Sequence, residues 1–179
     1  MPHLTLHTPL GELTVFEEDG AIIALEWGRA YGSENAPPTA SLREAAEQLH
    51  DYFDGRRSHF DLPVAPQGSA FRQSVWAALC RIPPGETRSY SEIAAEIGCR
   101  SPRAIGQANG ANPIPIIIPC HRVVAAKGAI GGYSGEGGIA TKRFLLALEA
   151  RGVSREEAGT LPLSRFSLRP PAAPQGTPR

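Results

Sequence analysis

Cysteine is scarce in this sequence: Cys80, Cys99 and Cys120 are the three among 179 residues, and no two stand at CxxC spacing. An odd, scattered set argues against a disulfide framework and a cysteine-rich zinc site, and a reducing compartment is the simplest home. No apolar run approaches the roughly 18 residues that a membrane-spanning helix needs. The first residues, MPHLTLHTPLGELT, lack a basic start followed by an apolar stretch, so no secretory signal is expected and the expected location is the cytoplasm. Net charge is lacking too, with 18 Lys+Arg against 18 Asp+Glu, and there are no internal repeats. Lysine is nearly absent: 16 of the basic residues are Arg, whose rigid fork suits phosphates and base edges, although a GC-rich genome gives the same bias. What is present is 41% apolar residues, over a length sufficient to bury about two-thirds of the unfolded surface as one domain or two small ones.

The zero net charge conceals an asymmetry. Residues 1–70 carry 4 basic and 11 acidic side chains (net −7), residues 71–150 carry 9 and 5 (+4), and the remainder carries 5 and 2 (+3). Opposite signs point to two units, the second attractive to a polyanion.

Alternation in HLTLH, ELTVFEE and AIIALEW, broken by PLG and by Asp19-Gly20, predicts three short antiparallel strands. A loop is expected from Tyr31 to Thr39. Ser41 and Glu44 match a capping box, and Ala45, Leu49, Tyr52 and Phe53 give the following helix an apolar face ending at Gly55. The first unit, 1–66, is therefore α+β. Its histidines (His3, His7, His50, His59) are scattered, so no metal is expected there. Ser69 opens a helix through Phe71, Val75, Trp76 and Leu79 that stops at Pro83-Pro84-Gly85. A helix from Ser91, a break Gly98-Cys99-Arg100-Ser101, and a helix with Pro102 at its first position form a helix-turn-helix outline. An extended run, PIPIIIPCHRVV, a glycine-rich loop (Gly128 to Gly138) and a helix Ile139 to Arg151 closed by Gly152 complete a second unit, 67–160. Residues 161–179 are Pro-rich and expected to be disordered.

Chemistry concentrates at Cys120-His121-Arg122. A thiol reacts as its thiolate, and neighbouring cationic groups favour that form, although adjacent side chains of an extended segment face opposite ways, so a local turn or a bridging water must bring His121 to Cys120. The alternative is a buried structural cysteine, which suits Cys80 and Cys99 well. A base needs a third group to hold it, and Glu149, in the last turn of the final helix at the edge of its apolar face, is the best-placed carboxylate. An exposed acid on a frayed helix end remains the alternative. The helix after Ser101 contains Gly106 and Gly110, each costing about 1 kcal/mol relative to Ala. Two explanations stay open: close packing against another helix, or entry into a minor groove about 6 Å wide, with Arg103 on the first turn.

These residues resemble the O6-alkylguanine-DNA alkyltransferases. The resemblance rests on Pro119-Cys120-His121-Arg122-Val123, preceded by Asn112-Pro113-Ile114-Pro115 and followed by Gly132-Tyr133-Ser134-Gly135, with Ile82-Pro83-Pro84-Gly85-Glu86-Thr87-Arg88-Ser89-Tyr90 and Arg103-Ala104-Ile105-Gly106 upstream. It covers about residues 1–152 and is most specific over 71–150.

The resemblance implies a ribonuclease H-like α+β domain followed by a helical domain carrying the helix-turn-helix and the active-site cysteine. It implies transfer of an alkyl group from O6-alkylguanine in double-stranded DNA, with O4-alkylthymine as a second candidate substrate, irreversibly to Cys120. In that scheme His121 is the base, acting through water, Glu149 orients it, Asn112 orders the turn before the active-site strand, and Tyr90 bonds the guanine and helps protonate it as it leaves. Val123, Tyr133 and Ser134 line the pocket, Ser134 donating to O6. Arg103 fills the gap left by the flipped nucleotide, and Ser101, Ala104, Gly106, Gln107, Ala108 and Arg122 belong to the DNA face. No cofactor, no metal, no membrane and a monomer are expected. Asn109 stands where some relatives carry an apolar pocket residue. Two rivals remain: a non-catalytic lesion-binding protein of the same fold, which would lack the nucleophile, and a Cys–His hydrolase, which would turn over.

Overall fold

The computed structural model describes residues 1–30 and 37–156, with side chains as far as 152. Most of the expected loop from Tyr31 and the Pro-rich tail lie outside the described residues.

Strands β1 (His3–Thr8), β2 (Gly11–Glu18) and β3 (Ala21–Trp27) form an antiparallel sheet in the order β1-β2-β3. Asp19 and Gly20 both take positive φ (50° and 80°), the mirror-image turn whose twist matches the strands it joins. The buried sheet residues Leu13, Val15, Ile22 and Leu25 pack with Leu42, Ala45, Leu49 and Tyr52 of α1 (Ala40–Phe53) in one core. The helix starts earlier than its Ser41-Glu44 box implies. Thr39, extended after two prolines, accepts from the Leu42 N–H at 3.2 Å, which frees the Ser41 hydroxyl to donate to the Gly20 carbonyl at 3.1 Å. The connector then runs along the outer edge of β3, where the Ile22 N–H donates to the Pro63 carbonyl and the Ala65 N–H to the Ile22 carbonyl; further along the same edge the Leu25 N–H donates to the Pro113 carbonyl at 2.9 Å.

In the second half, α2 (Ala70–Cys80) is capped by Ser69, and its Trp76 indole donates to the Ala108 carbonyl at 2.9 Å. Gly68 lies against this indole so closely that a Cβ there would stand 2.5 Å from the ring. Two-residue strands β4 (Arg88–Ser89) and β5 (Val123–Val124) pair in parallel. Helix α3 (Tyr90–Glu96) begins one residue earlier than expected, because Ser89 and Glu92 close a reciprocal capping box. After the turn at Gly98, α4 (Pro102–Gly110) starts with Ser101 accepting from the Ala104 N–H. These two helices form the helix-turn-helix.

The run from Pro113 to Val124 is not the extended strand expected. Prolines at 113, 115 and 119 remove three ladder donors. The chain coils tightly instead, with Ile116 at φ 73° and Ile114, Ile116, Ile117 and Ile118 all buried. A short 3-10 turn over Cys120–Arg122 follows. The last helix, α5 (Ile139–Glu156), runs through Gly152 rather than stopping there, since a single glycine costs only about 1 kcal/mol in a packed helix. Glu149 therefore sits inside the helix, not in its last turn. Buried residues of both halves join in one continuous core.

Candidate active site

Asn112 builds the approach to the cysteine. Its side-chain oxygen accepts from the Ile114 N–H at 3.0 Å and its amide donates to the Ile118 carbonyl at 2.8 Å, pinning both ends of the tight turn that holds Ile116 in the left-handed region. A β-branched residue there stores about 1–3 kcal/mol of strain, so such a staple is needed. At three residues per turn, successive side chains of Cys120–Arg122 leave the backbone in three directions. The turn, rather than sequence adjacency on a strand, thus sets their relation.

Cys120 is buried. Burial pushes its thiol above the usual range, while the Asn112 amide, the Tyr133 hydroxyl and the Lys142 ammonium pull the other way. His121 and Arg122 do not supply the cationic setting that their position suggests. His121, wholly buried, is pulled down by that burial and against it by Glu149, the net direction favouring the neutral ring. Its Nε2 lies 2.7 Å from Glu149 Oε1, and its Nδ1 is buried without a partner among the described residues. Since the carboxylate only accepts, Nε2 carries the proton and Nδ1 offers its lone pair. Burial opposes the charge on Glu149, but His121 and Arg122 outweigh it and hold the carboxyl far below the usual range; with His121 neutral, the Arg122 charge is the cause we favour. Arg122 reaches both carboxylate oxygens (2.8 and 2.9 Å) and donates to the Ile82 carbonyl at 2.6 Å.

That pairing corrects one assignment: Arg122 is buried in an ion pair and is not on a DNA face. Ala108 is corrected likewise, since it is buried in the core with its carbonyl held by Trp76. Ser101, Arg103 and Gln107 are exposed on one end and face of α4, with Ala104 and Gly106 partly so. Arg103 makes no ion pair among the described residues. Neither α4 glycine is demanded by packing: a Cβ at Gly106 would meet the Tyr90 ring at an ordinary 3.7 Å, and one at Gly110 would meet nothing. The smallness therefore faces outward.

Tyr90 links this face to the cysteine. It lines an open hollow of about 490 Å³ with Pro102, Arg103, Gly106 and Gln107. Burial, and then the nearby Cys120, raise its hydroxyl, which stays a donor. Gly131, whose Cβ would lie 3.6 Å from that hydroxyl, brings the 129–135 loop against the same ring. Tyr133 turns its hydroxyl into the interior beside Cys120, while Ser134 next to it is exposed. The Val123 carbonyl is occupied by Lys142 Nζ at 2.5 Å.

Three participants, Lys142, Tyr52 and the Gly85 N–H, are not evident in the sequence, and a fourth, Asn109, takes a contact that its expected pocket position did not indicate. Lys142 lies seven residues before Glu149, two turns up the same helix face. Tyr52 reaches Glu149 from α1 at 2.8 Å. The Gly85 N–H approaches the second Glu149 oxygen at 3.4 Å. Asn109, buried, donates to the Cys120 carbonyl at 3.3 Å and leaves its own oxygen unpartnered. Among the described residues no cluster of His, Cys, Asp and Glu is disposed to hold a metal ion.

A helix-turn-helix beside a buried Cys–His–Glu constellation, behind an N-terminal sheet domain, defines the class. Residues 2–66 match the ribonuclease-like domain of 6-O-methylguanine DNA methyltransferase, and residues 70–151 match its DNA binding domain. The chain belongs to this family. A constitutive methylated-DNA–protein-cysteine methyltransferase of Bacillus subtilis is 43% identical over 156 residues, spanning 82% of this chain and 94% of that protein. The corresponding protein of Mycolicibacterium paratuberculosis is 44% identical over 155 residues, 82% of this chain and 91% of its own. Among solved structures, Mycobacterium tuberculosis OGT in complex with DNA superposes with a TM-score of 0.75 at 42% identity, covering 85% of this chain and 94% of that one.

Proposed function

We infer that this protein repairs DNA by direct, irreversible transfer of an alkyl group from O6-alkylguanine to its own Cys120, one event per molecule. The observation that carries this reading is the geometry of His121, its Nε2 held at 2.7 Å by Glu149 and its Nδ1 without a partner among the described residues, on the same turn as a buried thiol.

In the reaction, the Cys120 proton passes to His121 and the sulfur attacks the alkyl carbon. An S–C bond forms, the C–O6 bond breaks, and its electron pair leaves on the guanine, where Tyr90 and Ser134 are the donors assigned to the developing anion. The thioether does not hydrolyse, so nothing regenerates the thiol. Because the O6 atom is enclosed in the duplex, the base must be extruded, at a cost of a few kcal/mol. Arg103, exposed and without a carboxylate partner among the described residues, is the side chain assigned to the vacated stack, and the small outward residues of α4 fit a narrow groove. Cys80 is the weaker acceptor candidate, since burial pushes its thiol up to about 12.

Mass spectrometry of the full chain after incubation with duplex DNA containing O6-methylguanine tests this reading. Cys120 alone is expected to gain the mass of one CH2 per methyl transferred, and Cys120→Ala is expected to bind the DNA without accepting the group. A methyl on Cys80 or Cys99, or release of methanol over many turnovers as a Cys–His hydrolase requires, would falsify it.

A further inference from the structure

Tyr52 belongs to the apolar face of α1, and a buried tyrosine needs a partner for its hydroxyl. Its partner lies 97 positions away in sequence: the hydroxyl donates to Glu149 Oε1 at 2.8 Å. This is the same oxygen that accepts from His121 Nε2 at 2.7 Å and from Arg122 at 2.8 Å, while the other takes Arg122 Nε and the Gly85 N–H. Five donors thus share one carboxylate, about one more than its lone-pair sites.

We propose that Tyr52 is a positioning residue of the transfer site: by donating to Glu149 from the N-terminal domain, it sets how strongly that carboxylate draws on the His121 ring. The inference rests on His121 being the base. Each donor to Oε1 takes up charge that would otherwise stabilise a protonated His121. Removing the hydroxyl concentrates that charge, so the ring holds a proton at higher pH, and a protonated ring cannot accept one from Cys120. The charged and titratable groups around the pair are Tyr52 from α1, Lys142 two turns before Glu149 on α5, Cys120 and Arg122 from the turn, and Tyr133 from the loop after β5. Burial first, and then Glu149, raise the Tyr52 hydroxyl well above its ordinary value, so it remains a donor throughout the working range.

Single-turnover methyl transfer from O6-methylguanine duplex DNA, measured against pH with the full chain, tests the proposal. In Tyr52→Phe the acid limb of the profile is expected to move up by on the order of half a pH unit, with the rate loss larger on the acid side than on the alkaline side. A ring-fluorinated tyrosine in place of Tyr52, nearly the same shape but a stronger donor, is expected to move the limb down. This protein decides the matter if Tyr52→Phe fails to fold. Opposite shifts support the proposal; profiles lowered by one factor at every pH, or unmoved, overturn it. A wild-type acid limb that survives in His121→Ala overturns the base assignment itself, a separate failure.

Discussion

Arg122 shows how far one residue's neighbours in space differ from its neighbours in sequence. Beside Cys120 in the chain, it reads as a cation for the thiol or for DNA; in the fold its fork closes on Glu149. Breaking a buried ion pair from one side leaves the other charge uncompensated, at about 3–5 kcal/mol. Arg122→Ala is therefore expected to lose that much stability in urea denaturation, yet to leave the salt dependence of DNA binding unchanged. A slope reduced by about 0.9, the signature of one lost phosphate contact, would return Arg122 to the DNA face. Cys120, His121 and Glu149 were legible because a thiol beside a base, and a carboxylate at the edge of an apolar helix face, are chemically conspicuous. Tyr52 was not, because an aromatic residue at a core position of an amphipathic helix looks complete without its hydroxyl, and nothing local indicates a partner 97 positions on.

Among the elements, those specified by local rules were readable: the three strands by their alternation and the Asp19-Gly20 turn, α2 by its Ser69 cap, and α4 by Ser101-Pro102. The 113–124 run was misread because a continuous apolar stretch fits a buried strand as well as a coiled turn. Its prolines decide against the ladder, and only the Asn112 staple decides what replaces it. Helix α4 carries a sharper expectation. If its glycines served internal packing, a methyl would clash; the nearest atom to a Cβ at Gly106 is instead 3.7 Å away. Gly106→Ala is expected to raise stability by up to about 1 kcal/mol through helix propensity while weakening binding to duplex DNA, read by thermal melting and by titration of labelled duplex. Lost stability with intact binding would restore the packing explanation.

For the molecule as a whole, the charge split and the continuous core pull in different directions. The acidic half and the basic half differ in what they attract, but they share one buried cluster, the Leu25–Pro113 bond and the Tyr52–Glu149 bond. Neither half can open without exposing apolar surface and a charge network belonging to the other. Thermal unfolding is thus expected to be a single transition whose calorimetric and van't Hoff enthalpies agree. Two separated transitions would show that the halves fold independently and that the bond to Glu149 adds little.

The short β4–β5 ladder acts as a gauge block. Arg88 faces Val123 and Ser89 faces Val124, so the residue entering Tyr90 and the residue leaving the Cys120 turn are clamped at a fixed offset, whatever the intervening helices do. A slip of one register step would displace one against the other by about 3.3 Å, enough to break any hydrogen bond set by that offset. Insertions or deletions that pass through the clamp should therefore silence the protein even where the fold absorbs them, whereas length changes in the glycine-rich stretch beyond Val124 leave the gauge intact.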